Sequence, residues 1–542
     1  MKIHNNINTI IPAAALFIIL FDNAAFFRNV AEVYPPSEGS NLLYIISLAI
    51  GATGVLILFL ALLAARLTLK PLLVVFFITS SILSYFMNSY NVVIDATMIQ
   101  NILETNTKEW RDLLSPRLFA TVFFLGVIPS LIVGLIPVQP LPLRAAAISR
   151  LKLIGIALLL ILTPVAAFSR FYASFFREHK ILRHYANPTF ATYSTYKYLR
   201  KHTGAAPVIV QPVGTDAMIV RADTAPHRKP RLIIVVVGES ARADRFSLNG
   251  YKRITNPLLS PEEVISYPDV HSCDTSTASS VPCMFSDLTR AGFSSKKAAA
   301  RENVLDIARR AGVAVLWRDN NSDSKGVALR VPYEDYKNPD RNTICDGECR
   351  DEGMLVGLQE YIDGQKNDIL IVLHQMGNHG PAYYKRYPEE FERFTPACKN
   401  NQLEQCSTEE INNAYDNAIL YTDFFLSKTI ELLKKNDPRF ETAMFYLSDH
   451  GESLGEYGVY LHGMPYALAP EAQTHIAAIA WFGADFPIDQ DILESEANRP
   501  YSHDNLFHTL LGALDIRTGS YVAGLDLLHN AHKEAEYYNP WP

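Results

Sequence analysis

Two short acidic motifs lie far apart in the sequence, and each closes a run of β-forming residues. Residues 232–237 lead into Gly238-Glu239-Ser240, and residues 443–447 lead into Ser448-Asp449-His450-Gly451-Glu452. Carboxylates and a histidine at the ends of hydrophobic strands are how an α/β sheet presents ligands to a divalent cation. An adjacent Asp and His offer a hard oxygen and a borderline nitrogen, a set that suits zinc. Taken alone, Glu239 could be an acid near a helix N-terminus, and Asp449-His450 a structural pair. Two such motifs in one domain favour the metal.

Other residues could complete such a site. His379, in His374-Gln375-Met376-Gly377-Asn378-His379-Gly380, follows the apolar stretch 368–374, and His462 lies shortly after His450. Their flanking glycines allow a ligand close to the backbone. His374, inside the strand end, reads as a satisfied core histidine. A nucleophile is expected in the hydroxyl-dense stretch between Cys273 and Cys283. There Thr275, Ser276, Thr277 and Ser279 are candidates, with Ser240 elsewhere, because a metal can activate any nearby alcohol. The stretch Asn320-Asn321-Ser322-Asp323-Ser324-Lys325-Gly326 supplies amides, hydroxyls and a cation that could hold phosphate oxygens, or it forms an ordinary turn.

The elements that must position these groups are legible. From about residue 231, strand candidates at 231–237, 313–317, 368–374, 442–447 and 476–482 alternate with helical patterns near 303–311, 351–363, 408–436 and 503–513. That alternation predicts an α/β domain with a mostly parallel sheet covered by helices. Before it, five stretches near 9–28, 43–65, 70–89, 118–138 and 152–172 are apolar over the roughly 20 residues a bilayer requires. Asp22 and Asn23 interrupt the first. The expected organisation is a transmembrane domain of five helices over 1–173, a connector and linker over 174–225 and a catalytic domain over 226–542. Arg66 and Lys70, then Arg144, Arg150 and Lys152, mark two short loops as cytoplasmic. Everything after the fifth span then lies outside, which in a bacterium is the periplasm.

All six cysteines fall in the second half of the 542 residues. Even-numbered cysteines after membrane spans imply an oxidising compartment, with neighbour pairing (273–283, 345–349, 398–406) as the working expectation. A zinc cluster competes, but paired C-x-x-C spacing is missing. The net charge of −7 is mild and no long basic run points to nucleic acid. Between the third and fourth spans, Asn101, Thr105 and Glu109 recur at i, i+4 and i+8, on one helical face. That face is either solvated or the polar wall of a lipid-headgroup site.

The motifs 238–244, 273–283, 317–326, 374–382 and 448–455 closely resemble those of the lipid A phosphoethanolamine transferases, a family that includes the mobile colistin-resistance enzymes. The resemblance covers nearly the whole chain, including the five spans and the Tyr172–Arg177 junction. It implies an alkaline-phosphatase/sulfatase-like catalytic domain and a catalytic zinc held by Glu239, Thr277, Asp449 and His450, with a second zinc during turnover. Thr277 would be the nucleophile, and His379 and His462 would face substrate or take the second zinc. Asn101, Thr105, Glu109, Asn321, Ser322 and Lys325 would contact the headgroup. The resemblance favours the neighbour disulfides, least securely Cys345 with Cys349, where the spacing departs from the family.

The implied reaction moves phosphoethanolamine from phosphatidylethanolamine to a phosphate of lipid A through a modified threonine. It lowers negative surface charge and so gives polymyxin resistance. The implied setting is the inner membrane of a Gram-negative bacterium, with the protein a monomer. Two alternatives share the motifs: a phosphoethanolamine or phosphoglycerol transferase with another acceptor, and a sulfatase-like hydrolase. A non-catalytic membrane receptor with a degenerate metal site is a third reading.

Overall fold

The computed structural model of the chain describes residues 7–104, 107–139, 141–179, 182–202, 209–220 and 229–532. It divides into two compact units, Met1–Ile102 with Trp110–Gly204, and Leu103–Glu109 with Ala205–Pro542.

In the first unit, helices Asn41–Leu63, Leu69–Tyr90, Pro116–Leu135 and Leu143–Ala167 are each long and apolar enough to cross a membrane. The first expected span is not one straight helix. It is Ile7–Phe21 followed by Ala24–Val33, bent by 56° between them. The break falls at Asp22 and Asn23, whose side chains have other partners. The Ser80 hydroxyl donates to Asp22 Oδ2. Asn23 Nδ2 donates to the carbonyls of Ile18 (3.0 Å) and Asn187 (2.8 Å), and its Oδ1 accepts from the Asn187 amide. Such local bonds compete with the helical ladder and bend it. The last helix begins at Leu143, earlier than the apolar pattern alone indicates.

The second unit is built on a seven-stranded sheet. Its strands are β1 (Arg231–Gly238), β2 (Ile265–Tyr267), β3 (Ala314–Asp319), β4 (Tyr333–Asp335), β5 (Ile369–His374), β6 (Glu441–Ser448) and β7 (Ala478–Phe482). Their order is β2-β7-β6-β1-β5-β3-β4. The five strands from β6 to β4 run parallel, while β7 is antiparallel to both β6 and β2. All five expected strands are present, and the sheet is mostly parallel.

β1 is buried along its whole length, as a central parallel strand must be. Its side chains alternate between two cores. Ile233, Val235 and Val237 pack with Val281, Ile307 and Leu510 on one face. Leu232, Ile234 and Val236 pack with Ile411, Ile419 and Leu426 on the other. The second face is covered by the long helix Thr408–Asn436. Ser407 and Glu410 close its N-terminus as a capping box, and Lys434 and Lys435 lie in its last turn. The sulfurs of Cys273 and Cys283, Cys345 and Cys349, and Cys398 and Cys406 are joined.

The entry to β1 is held by charge. Arg231, fully buried, meets Glu441 Oε2 at 3.1 Å and Asp515 Oδ2 at 2.8 Å, and donates to the Ala513 carbonyl at 2.6 Å. Removing the cation leaves two buried carboxylates facing each other. Arg231→Ala is therefore expected to cost about 3–5 kcal/mol, read as a large drop in the unfolding midpoint. An unchanged midpoint would show that the triad contributes nothing net.

Candidate metal and active site

Four neighbouring parallel strands end at one edge, and most of the chemistry-bearing loops leave from it, the Thr277 segment arriving from the short strand Val270–His271. Asn320 and Asn321 follow β3, the segment 375–379 follows β5, Glu239 follows β1, and Asp449 and His450 follow β6. The ladder continues past the strand ends and sets the register of these loops. The amide of Asn320 donates to His374 O, Gln375 to Val237 O, Asn378 to Glu239 O and Asp449 to Gly238 O, at 2.9–3.0 Å. This is where open α/β sheets bind their ligands.

Two glycines make the approach of the loops feasible. A Cβ on Gly238 would lie 2.6 Å from the Tyr446 ring. One on Gly377, at φ +49°, would lie 2.9 Å from the Glu239 carbonyl oxygen. Ser240, at φ 57°, is held by three groups. Its carbonyl accepts from Tyr415 Oη at 2.6 Å, its amide donates to Asp449 Oδ1 at 3.2 Å and its hydroxyl donates to Glu239 Oε1 at 2.7 Å.

Glu239, Thr277, Asp449 and His450 converge. Thr277 opens the helix Thr277–Met284, and its hydroxyl lies 3.2 Å from both Glu239 Oε2 and His450 Nε2. His450 Nε2 is 3.4 Å from Glu239 Oε1 and 3.3 Å from Asp449 Oδ2. The Gly451 carbonyl 2.9 Å from His450 Nδ1 can only accept, so it fixes the proton there and turns the Nε2 lone pair to the cluster. Glu239, Asp449 and His450 each offer a ligand atom within 4.8 Å of the others, and all three are buried.

These residues fit a divalent cation. Asp449 Oδ1 accepts from two backbone amides, but Oδ2 is buried without any hydrogen-bond partner. Leaving a buried carboxylate oxygen unpaired is costly, and a cation would satisfy it. Burial and the repulsion of Glu239 push the Asp449 carboxyl up. Burial also works to raise Glu239, but His450, His379, His462 and the Ser240 hydroxyl together hold it well below the usual range. Burial works against a charged His450, and Asp449 and Glu239 outweigh it, so its pKa is raised.

His379 and His462 stand beside this cluster. The His462 ring lies 4.1 Å from that of His450 and 5.6 Å from that of His379, centroid to centroid. Glu239, His379 and His462 form a second possible ligand set, and His450, Glu452 and His462 a third. Two residues left without a role in the sequence organise this side. Buried Glu452 accepts from His462 Nδ1 at 2.8 Å and from Tyr383 Oη at 2.7 Å. Glu452 stood inside the second motif, but nothing in the sequence tied Tyr383 to it.

The phosphate-loop residues divide. Asn321 is buried, and its Nδ2 donates to Glu239 Oε2 (2.8 Å) and to Gln375 O (2.7 Å). It orients a ligand carboxylate. Ser322 and Lys325 are half-buried, with Lys325 Nζ donating to the Ser322 carbonyl at 3.0 Å. Asn101 lies on helix Ala96–Glu104, in the first unit. Thr105 is outside the described residues, as is the side chain of Glu109, whose helix is Thr107–Asp112. His374 is a core histidine, its Nδ1 2.9 Å from Asp319 Oδ2 with both buried.

His503 also lacked any sequence signal. It is buried, and its Nδ1 accepts from the Cys273 amide at 3.0 Å while its Nε2 donates to the Ser448 carbonyl at 2.9 Å. It thus ties the Thr277 loop to the Asp449 loop.

Family models match both units of the chain. A sulfatase family model matches residues 231–516, and a model for phosphoethanolamine transferases EptA/EptB matches residues 52–203. The chain is 44% identical to phosphatidylethanolamine transferase Mcr-2 of Escherichia coli over 93% of this chain and 94% of that one. It is 39% identical to phosphoethanolamine transferase EptA of E. coli K12 over 96% of each. The integral membrane lipooligosaccharide phosphoethanolamine transferase A from Neisseria meningitidis superimposes with a TM-score of 0.92 at 34% identity, covering 97% of this chain and 99% of that one. The fold and the strand-edge site define a sulfatase-like enzyme class on membrane helices. Within it, the chain belongs to the EptA/Mcr phosphoethanolamine transferase family.

Two measurements probe the site. Purified protein is expected to hold a divalent cation stoichiometrically by elemental analysis and to lose nearly all of it in Asp449→Ala; equal metal in both would remove Asp449 from the ligands. Burial drives the His503 imidazole down to about 4, against an unfolded value of about 6.5. Its contribution is thus present above pH 6.5 and is lost as pH falls towards 4, by about 3 kcal/mol. His503→Gln should flatten the fall of the unfolding midpoint over that interval, and an unchanged slope would contradict the assignment.

Proposed function

We propose that the chain transfers phosphoethanolamine from phosphatidylethanolamine to a phosphate of lipid A, with Thr277 carrying the group between them. The observation that carries this reading is the Thr277 hydroxyl at 3.2 Å from both Glu239 Oε2 and His450 Nε2, beside an unpaired carboxylate oxygen of Asp449. The names of the relatives supply the transferred group. Glu239, Thr277, Asp449 and His450 would hold a zinc ion. When bound, it would supply a lowered hydroxyl pKa and neutralisation of phosphoryl charge.

In the first step Thr277 Oγ attacks the donor phosphorus, and its proton passes to His462 or His379. The bond from phosphorus to the glycerol oxygen breaks, and diacylglycerol leaves with a proton delivered by His462 or His379. Glu452, bonded to His462 Nδ1, leaves Nε2 as the atom that exchanges it. In the second step an oxygen of the lipid A phosphate attacks the same phosphorus after giving its proton to the histidine. The phosphorus–Oγ bond breaks and Thr277 recovers a proton from the histidine. Thr277 at the start of a helix also directs backbone N–H groups at the phosphoryl oxygens. Ser322 and Lys325 would contact the headgroup, as would Asn101, Thr105 and Glu109. A second zinc during turnover would be held by His379 and His462 in place of their proton transfer.

The phosphoryl acceptor and donor are both amphiphiles, which gives the apolar helices a purpose. The product carries an added amine, weakening attraction for cationic peptides such as the polymyxins. The reading places the enzyme in the inner membrane with its catalytic unit in the periplasm, where disulfides persist. Donor-incubated wild type is expected to carry phosphoethanolamine on the peptide containing Thr277 and to release diacylglycerol. Thr277→Ala is expected to show neither while remaining folded. Diacylglycerol release by Thr277→Ala at the wild-type rate would refute the threonine intermediate.

A further inference from the structure

Three histidines stand at the site, and two of them have the ring held by a contact on Nδ1. His450 Nδ1 meets the Gly451 carbonyl at 2.9 Å, and His462 Nδ1 meets Glu452 Oε2 at 2.8 Å. His379 differs: its Nδ1 is buried and has no hydrogen-bond partner among the described residues. Its ring centroid nonetheless lies 5.6 Å from that of His462, and it offers a ligand atom within 4.8 Å of those on Glu239 and His462. A ring without that contact takes its place from the backbone that carries it.

One short segment, residues 345–351, holds that backbone from two sides, and the Cys345–Cys349 disulfide closes it. On the first side is Asp351, which is buried. Its Oδ1 accepts from the Met376 amide at 2.8 Å and its Oδ2 from the Gly377 amide at 3.1 Å. Asn320 Nδ2 donates to the same Oδ1 at 2.8 Å and to the Cys349 carbonyl at 2.9 Å. One carboxylate thus joins the cysteine-closed segment to the loops after β3 and β5. On the second side Glu348 pairs with Arg386, whose Nε donates to the His379 carbonyl at 2.7 Å. Arg350 adds a bond to the Lys385 carbonyl at 2.7 Å. Bonds from backbone amides to a carboxylate are roughly twice as strong as neutral ones, so Asp351 is the firmer of the two anchors.

We propose that Asp351 is a positioning residue that places His379 beside Glu239 and His462, with Glu348 and Arg386 as the second anchor. Asp351 acts on the reaction only through the backbone of Met376 and Gly377. Its consequence for turnover rests on the reading that His379 exchanges the substrate proton or holds a second zinc. The placement of the ring is separate from that reading, because the same bonds set it whatever the ring then does.

NMR of the full chain in detergent, with isotope-labelled histidine rings, tests the placement. The His379 signal is identified by its loss in His379→Ala. In Asp351→Asn a carboxamide N–H faces a backbone N–H, so the His379 signal should shift while that of buried His503 stays. Glu348→Gln, at a half-buried position, should shift the same signal by less and keep the wild-type unfolding midpoint. An unmoved His379 signal in both variants would overturn the placement. Turnover of phosphatidylethanolamine in mixed micelles then tests the consequence. Asp351→Asn should release diacylglycerol about 10–100-fold more slowly, with KM and metal content unchanged. That slowing should vanish in the His379→Ala background, where Asp351 has no ring left to place. Equal slowing in both backgrounds would make Asp351 a structural residue and overturn the inference. Wild-type turnover by His379→Ala would instead overturn the reading of His379, and the signal shift would still decide the placement.

Discussion

Two carboxylates that burial should keep apart, Glu239 and Asp449, are held together at the ends of adjacent parallel strands. Inside the protein their repulsion is barely screened. The surrounding structure consists of groups that make this arrangement tolerable: backbone amides on Asp449 Oδ1, the Asn321 carboxamide and Ser240 hydroxyl on Glu239, and His450 between the two. One oxygen, Asp449 Oδ2, has His450 Nε2 at 3.3 Å but no hydrogen bond. A site that retains such a cost is organised for a cation, and the Thr277 hydroxyl is aimed at the same point.

The sheet makes that convergence rigid. β1 sits between β5 and β6 with paired register along its length, and the ladder runs one step past each strand into the loops. The loops that carry Glu239, Asp449 and Thr277 are then tied to one another by Ser240, Tyr415 and His503. None of these needs to touch substrate to matter, because a ligand displaced by a fraction of an ångström is no longer a ligand.

Much of this was legible from the chain. The β-branched run 232–237 and the apolar, aromatic run 442–447 read as buried strands, and an acid directly after such a run falls at the sheet edge. The broken first span was signalled by Asp22 and Asn23, because two polar residues in an apolar run need partners. What escaped the sequence were partnerships between distant residues. The donation from Asn321 Nδ2 to Glu239 was one such partnership. Tyr383 and His503 had no local pattern at all, since a buried tyrosine or histidine acquires its role only from what the fold sets against it.

X-ray absorption spectroscopy on the zinc-loaded protein tests the central claim, that Glu239, Thr277, Asp449 and His450 together hold one cation. The account predicts a first coordination sphere of oxygen and nitrogen only, at about 2.0–2.2 Å, with the signature of a single imidazole. Sulfur in that sphere, or two or more imidazoles on a singly loaded protein, would contradict it.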